Sequence, residues 1–167
     1  MPILTILHYP DPRLNVVAHA VTTFDETLNY LINSMAETMY SAHGVGLAAP
    51  QVDVRRRVIV VDISEDKSSF RAYVNPQIDW RSKVSQVVEE GCLSVPGIYE
   101  TTPRPDSIRG HAYDVHGARF EFEAEGLLAR CIQHEMDHLD GTVFVERLSP
   151  LKRNRIRARL QKSARGR

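Results

Sequence analysis

The stretch GLLARCIQHEMDHLDG, residues 126 to 141, decides how the rest of the chain is read. Leu127, Leu128, Cys131, Ile132 and Leu139 recur at helical spacing, and Gly141 supplies a stop, so the segment is expected to be an amphipathic helix. On that helix His134 and His138 stand four residues apart. At 3.6 residues per turn they share a face, and two imidazoles can converge on one ion. Glu135 lies about 100° round from His134, close enough to serve a water at that ion without being a ligand. The bland alternative is a chance HExxH on a surface helix; helical placement favours the metal site.

A third ligand is needed, and the residues narrow it. One group of metalloproteases continues the motif to a third histidine three residues after the glycine, but this chain has Phe144 there and no histidine after His138. A glutamate on a later helix is excluded, because no acid follows Glu146. The ligand is therefore expected from upstream. Cys131 shares the helix face but sits about 7.5 Å along the axis from the midpoint of the two histidines. A metal–sulfur bond of about 2.3 Å on a one-carbon stem cannot cover that distance. Cys131 reads as a small core residue. Cys92, in EEGCLSVPG, is the other option, beside a glycine that allows close backbone approach. A cysteine and two histidines with no evident fourth ligand leave an open coordination position, as a catalytic site requires.

Working outward, Leu28, Leu31, Ile32, Met35 and Met39 give a helix from about Glu26 to His43, with Thr23 and Glu26 as a capping box and Gly44 as a stop. The loop GVGLAAPQ follows. It lacks the third glycine and the lysine of phosphate loops, and it follows a helix, so its small residues suit close approach of backbone to a ligand. Gln51 at its end offers an amide that can donate to a carbonyl oxygen. RVIVVDI and RAYVN read as strands, the first a buried one. Between Val84 and Glu125 the pattern is β again, with a hairpin turn near Asp114 to Gly117. Ser149 as N-cap and Pro150 open a last helix. Helix, strands, helix, helix is an α+β order.

The whole chain has 167 residues, 43% hydrophobic and 25% charged, and is read as a single soluble domain over residues 1–167. No stretch is apolar enough to span a bilayer. The start, MPILTILHYPDPRL, does not read as a signal peptide, so a cytoplasmic location is expected. Two cysteines are too few for a disulfide framework. The net charge of zero hides an asymmetry: Arg147 to Arg167 holds nine Lys and Arg and no acid, leaving residues 1 to 146 at −9. The basic helix and tail over 149–167 suit an anionic partner such as nucleic acid, or else form a solvated helix.

Three segments, GVGLAAPQ, EEGCLSVPG and QHEMDHLDG, in this order and separation, resemble the peptide deformylases of the bacterial type. The likeness runs over essentially the whole chain, including LSPLKRNRIR, and implies an α+β fold with mixed or antiparallel sheets packed around a central metal helix and a C-terminal helix. It implies a metal-dependent hydrolase that removes the formyl group from N-formylmethionine on new polypeptides. It implies one divalent metal ion, Fe²⁺ natively with Zn²⁺, Ni²⁺ or Co²⁺ as alternatives, held by Cys92, His134 and His138. Glu135 would be the general acid/base. The Gln51 amide and the Leu93 backbone N–H would hold the formyl oxygen, with Gly46 lining the site. The implied partners are formyl-Met nascent chains and, through the basic helix, the ribosome; a monomer is expected. Two positions differ from some members: Tyr99 replaces an arginine beside the peptide chain, and Arg130 replaces an apolar residue facing the methionine pocket. Two other classes compete, a metalloprotease or other amidase and a non-catalytic, metal-stabilised RNA-binding protein.

Overall fold

A computed structural model describes residues 2–165. Helix α1 spans Glu26–Ser41, and strands β1 (Gly46–Ala48), β2 (Val58–Val61) and β3 (Arg71–Arg81) follow. Strands β4 (Ser85–Cys92) and β5 (Val95–Pro105) form a long hairpin, and β6 (Ser107–Tyr113) and β7 (Arg119–Glu125) a second one. Helices α2 (Gly126–Leu139) and α3 (Pro150–Arg165) complete the chain. The strands make a five-stranded antiparallel sheet in the order β1-β2-β3-β6-β7 and a separate β4-β5 pair. The architecture is α+β, as the element order predicts.

The run of valines and isoleucine in β2 is continuous because both faces of the sheet are covered there. Ile59 and Val61 pack with Ile132 and Leu139 of α2, while Val58 and Val60 pack with Leu28, Met35 and Met39 of α1. The two helices thus sandwich the strand next to β1. A third cluster joins Leu7, Tyr9, Leu14, Val95, Ile98, Phe144 and Ile156, seating α3 against the β4-β5 hairpin and the amino-terminal segment.

Most boundaries agree with the periodicity, and three expectations are corrected. The cap of α1 is Asp25, not Thr23: its carboxylate accepts from Thr27 N at 3.0 Å and Leu28 N at 3.3 Å. A charged acceptor immediately before the first helical residue out-competes a hydroxyl two positions further away. The helix also ends at Ser41 rather than His43. Finally, GVGLAAPQ is not a plain loop: Gly46–Ala48 is strand β1 and Ala49–Val52 a 3-10 turn. The start of α3 is as read, with Ser149 Oγ accepting from Lys152 N at 3.3 Å.

Candidate metal centre

Cys92, His134 and His138 come together although the cysteine and the first histidine lie 42 positions apart in the sequence. Their ligand atoms all lie within 4.8 Å of one another. Cys92 Sγ is 3.3 Å from His138 Nε2. The hairpin brings the cysteine in: Cys92 is the last residue of β4, and the tight turn at Leu93 and Ser94 returns the chain into β5. Ser94 N donates to Cys92 Sγ at 3.4 Å, which holds the sulfur toward the cluster. Cys131 is buried elsewhere in the core, and burial pushes its thiol up to about 12, where it is inert.

Each histidine presents Nε2 to the cluster. His134 Nδ1 lies 2.6 Å from Glu90 Oε2. An ionised carboxylate only accepts, so Nδ1 carries a proton and Nε2 is the atom left to face a metal. Burial disfavours the imidazolium form of both rings. At His138 burial prevails and the ring is held neutral, as a ligand must be, whereas at His134 Glu135 and Cys92 outweigh that penalty and favour the charged form, so an ion bound there would have to displace a ring proton. One thiolate, two imidazoles and an open side fit a divalent transition metal ion.

Glu90 is the residue that the sequence reading missed. It is buried, yet its carboxyl is held below the usual range against the penalty of burial by Arg104 and His134. Arg104 clamps it with two bonds of 2.6 and 2.7 Å, and Arg130 Nη1 adds a third at 2.7 Å. Arg104 and Arg147 also hold Asp137 on the outer side of α2. Three arginines from separate elements thereby fix one carboxylate and one helix. The only sequence signal was an acidic pair before the cysteine, and spacing alone does not show which acid turns inward. Arg130 is turned inward, its guanidinium pointing to Glu90, Thr102 and Gln86.

Glu135 is buried, with Oε1 unpartnered, at the same cleft as the cluster. Burial raises its carboxyl to about 7, with His134 opposing the rise and Glu90 adding to it. Gly46 on β1 lies directly against it. A Cβ there would sit 2.5 Å from Glu135 Oε2, so any larger residue would have to push the carboxylate aside. Gln51 is oriented by its neighbours: Oε1 accepts from Ala48 N at 2.9 Å, which turns Nε2 toward Ser94 Oγ at 3.0 Å and Cys92 Sγ at 3.5 Å. Leu93, next to Cys92, packs its side chain over Gly44. The cleft has a volume of about 620 Å³, and Gly46, Gln51, Cys92, Leu93, His134 and Glu135 all line it. The remaining histidines divide: His8 and His43 reach the cleft mouth, and His19, His111 and His116 lie away from it.

Such a site can bring a water, an amide carbonyl and a proton carrier together. Comparison with known proteins agrees with it. The family model of the polypeptide deformylases matches residues 3–154. Peptide deformylase 1 of Burkholderia multivorans is 59% identical over 162 residues, covering 97% of this chain and 90% of that protein. The crystal structure of a peptide deformylase from Legionella pneumophila superposes with a TM-score of 0.93 at 50% identity, over 98% of this chain and 96% of that one. A peptide deformylase from Ehrlichia chaffeensis in complex with actinonin gives 0.94 at 37% identity, over 98% of each chain. The chain belongs to the polypeptide deformylase family, the metal-dependent hydrolases that remove the formyl group from the N-terminal methionine of nascent polypeptides.

Proposed function

We propose that Cys92, His134 and His138 hold the catalytic ion, Fe²⁺ natively, and that Glu135, Gln51 and Leu93 carry the reaction, with Gly46 shaping the cleft. The observation that supports this most is the unpartnered oxygen of buried Glu135 beside three convergent ligand atoms. A divalent ion there supplies Lewis acidity, lowering the pKa of water from 15.7 toward about 7. Glu135 accepts the proton of the attacking water as its oxygen adds to the formyl carbon. Gln51 Nε2 and the Leu93 N–H donate to the formyl oxygen while negative charge grows on it. Glu135 then passes the proton to the amine nitrogen as the C–N bond breaks, releasing formate and a free amino terminus.

The test pairs metal analysis of anaerobically purified protein with a formate-release assay. A formyl-Met peptide should be hydrolysed much faster than its acetylated twin, whose extra methyl adds bulk at the reacting carbon. Internal peptide bonds should survive, which separates this reading from a protease. Cys92→Ala should lose the metal, whereas Cys131→Ala should keep it and lose only packing stability. Full metal occupancy in Cys92→Ala would mean that another residue is the third ligand.

A nascent-chain enzyme works where translation occurs, which favours the cytoplasm, and we take the protein as a monomer built of one catalytic domain over residues 1–167. Its basic helix docks on the ribosome. Arg155, Arg159 and Lys162 of α3 are exposed and meet no acidic partner among the described residues. Such a row suits phosphate.

A further inference from the structure

We infer that Asp62 is a positioning residue for the reaction: it holds the cleft wall against which Glu135 is set. This rests on the proposed proton-carrying role of Glu135 and names what keeps that carboxylate where the reaction needs it.

The wall is the segment that joins α1 to β1. Ala42, His43, Gly44, Val45 and Gly46 all line the cleft. Between Ser41 and Gly46 the segment belongs to neither helix nor strand, and His43 lies in the left-handed region at φ 58° just before Gly44. Such a stretch has little stiffness of its own. Its end must nonetheless be placed closely, because a Cβ on Gly46 would meet Glu135 Oε2 at 2.5 Å. A shift of the wall toward α2 pushes that carboxylate, and a shift away leaves it unsupported.

Asp62 secures the wall at two points. It follows Val61, the partner of Gly46 in the β1-β2 ladder, and its N–H donates to Val45 O at 2.8 Å. Its carboxylate reaches the end of α1, where Tyr40 Oη donates to Oδ2 at 2.5 Å. The same carboxylate gathers the loop after β2, accepting from Ser64 N at 2.8 Å, Ser64 Oγ at 2.5 Å and Ser69 N at 3.0 Å. Asp62 is only 4% exposed. Burial works against its ionisation, yet the bonds from Ser64, Tyr40 and Ser69 hold its carboxyl down at about 2.

A buried acid whose oxygens are all engaged is commonly a plain structural tie. Here the tied groups are Tyr40, just before the wall, and Val45, within it. Asparagine at 62 keeps the shape and the main-chain bond to Val45, so it isolates the carboxylate. Whichever way its amide turns, the NH₂ faces one main-chain N–H, of Ser64 or Ser69, that can only donate. The clash moves the side chain, and with it the anchor of Tyr40.

The experiment is a double-mutant cycle on the metal-loaded protein, read by formate release from a formyl-Met peptide. Asp62→Asn should lower kcat by about 10- to 100-fold, up to the cost of a misplacement of about 1 Å, with metal content near one per chain. Tyr40→Phe, which removes a single hydroxyl, should lower kcat less and carries the same cycle on a milder change. On the Glu135→Gln background the Asp62→Asn loss should shrink to within about twofold, because no proton carrier is left to misplace. Equal losses on the two backgrounds overturn the inference. So does a lowered Tm with kcat unchanged, which is the signature of a tie that serves the fold alone. A change confined to KM overturns it as well, since the wall would then serve peptide binding rather than Glu135. If Glu135→Gln by itself retains the parent's kcat, the reading beneath falls first, before the cycle is closed.

Discussion

Helices α2 and α3 are similar in length, 14 and 16 residues, and are built on opposite plans. In α2 nine residues are buried, including Arg130, Gln133, His134, Glu135 and His138. Most polar groups in such a place are paired, and the pairing spreads outward through Glu90, Arg104 and Asp137, while Glu135 Oε1 and His138 Nδ1 stay unpartnered. In α3 Ile156 is buried and Leu160 partly so, while the basic side chains stay largely in water. Only a few of them are tied down, as by Lys152 to Glu100 at 3.1 Å and Arg157 over Tyr9 at 6.0 Å. One helix keeps its charges inside and uses them on the site. The other keeps them outside, where only a partner can use them. The difference teaches that in this molecule the burial of a charged group, rather than its sequence motif, says whether it serves chemistry or association.

The sharpest way to test that contrast is Glu135→Gln. Glutamine matches the size of the buried side chain but cannot carry the proton. Formate release should fall by about 10²–10⁴ while metal content stays near one per chain. Activity within threefold of the parent would show that the buried glutamate has no chemical role. Gly46→Ala should come next. The added methyl meets Glu135 Oε2 at 2.5 Å and must displace it, for a loss of about 10² in kcat with the metal retained. Unchanged kcat would mean that β1 does not fix the carboxylate.

A smaller effect is expected at Glu90→Gln, one shell further out. The amide can still meet His134 Nδ1, but it no longer balances Arg104 and Arg130. Metal affinity should drop by about 10- to 100-fold, read by competition with a chelator. An unaltered affinity would reduce the arginine clamp to a purely structural feature. The smallest effect on hydrolysis is expected from the combined variant R155E, R159E and K162E on α3. Turnover of a short formyl peptide should stay within about twofold, as exposed charges away from the cleft exert screened fields. Sedimentation with ribosomes should weaken, and its salt dependence should flatten. This variant is cleaner than removing residues 153 to 167, because truncation would also strip Ile156 from its apolar seat. Equal co-sedimentation of variant and parent would assign α3 to solvent alone.

Much of this was written in the order of residues. The spacing of His134, Glu135 and His138 requires a helix to mean anything, and the flanking leucines with Gly141 supply one. Elimination of later acids and histidines points upstream for the third ligand, and the reach of a thiolate sets Cys131 aside; both arguments are about distance along a chain, which sequence contains. The charge split between body and tail is likewise visible without coordinates. What sequence does not contain is the meeting of distant segments. Glu90 reads as one of two adjacent acids on a strand until the β4-β5 hairpin turns it under α2, where Arg104 and Arg130 close on it. Arg130 reads as a departure in a substrate pocket until its guanidinium is seen to face inward. Gly46 reads as one small residue among several until Glu135 is found against it. Local spacing fixes helices and ligand reach because it depends on backbone geometry repeated every few residues. Which buried charge meets which is decided only by packing, because the cost of desolvation is settled across the whole fold at once.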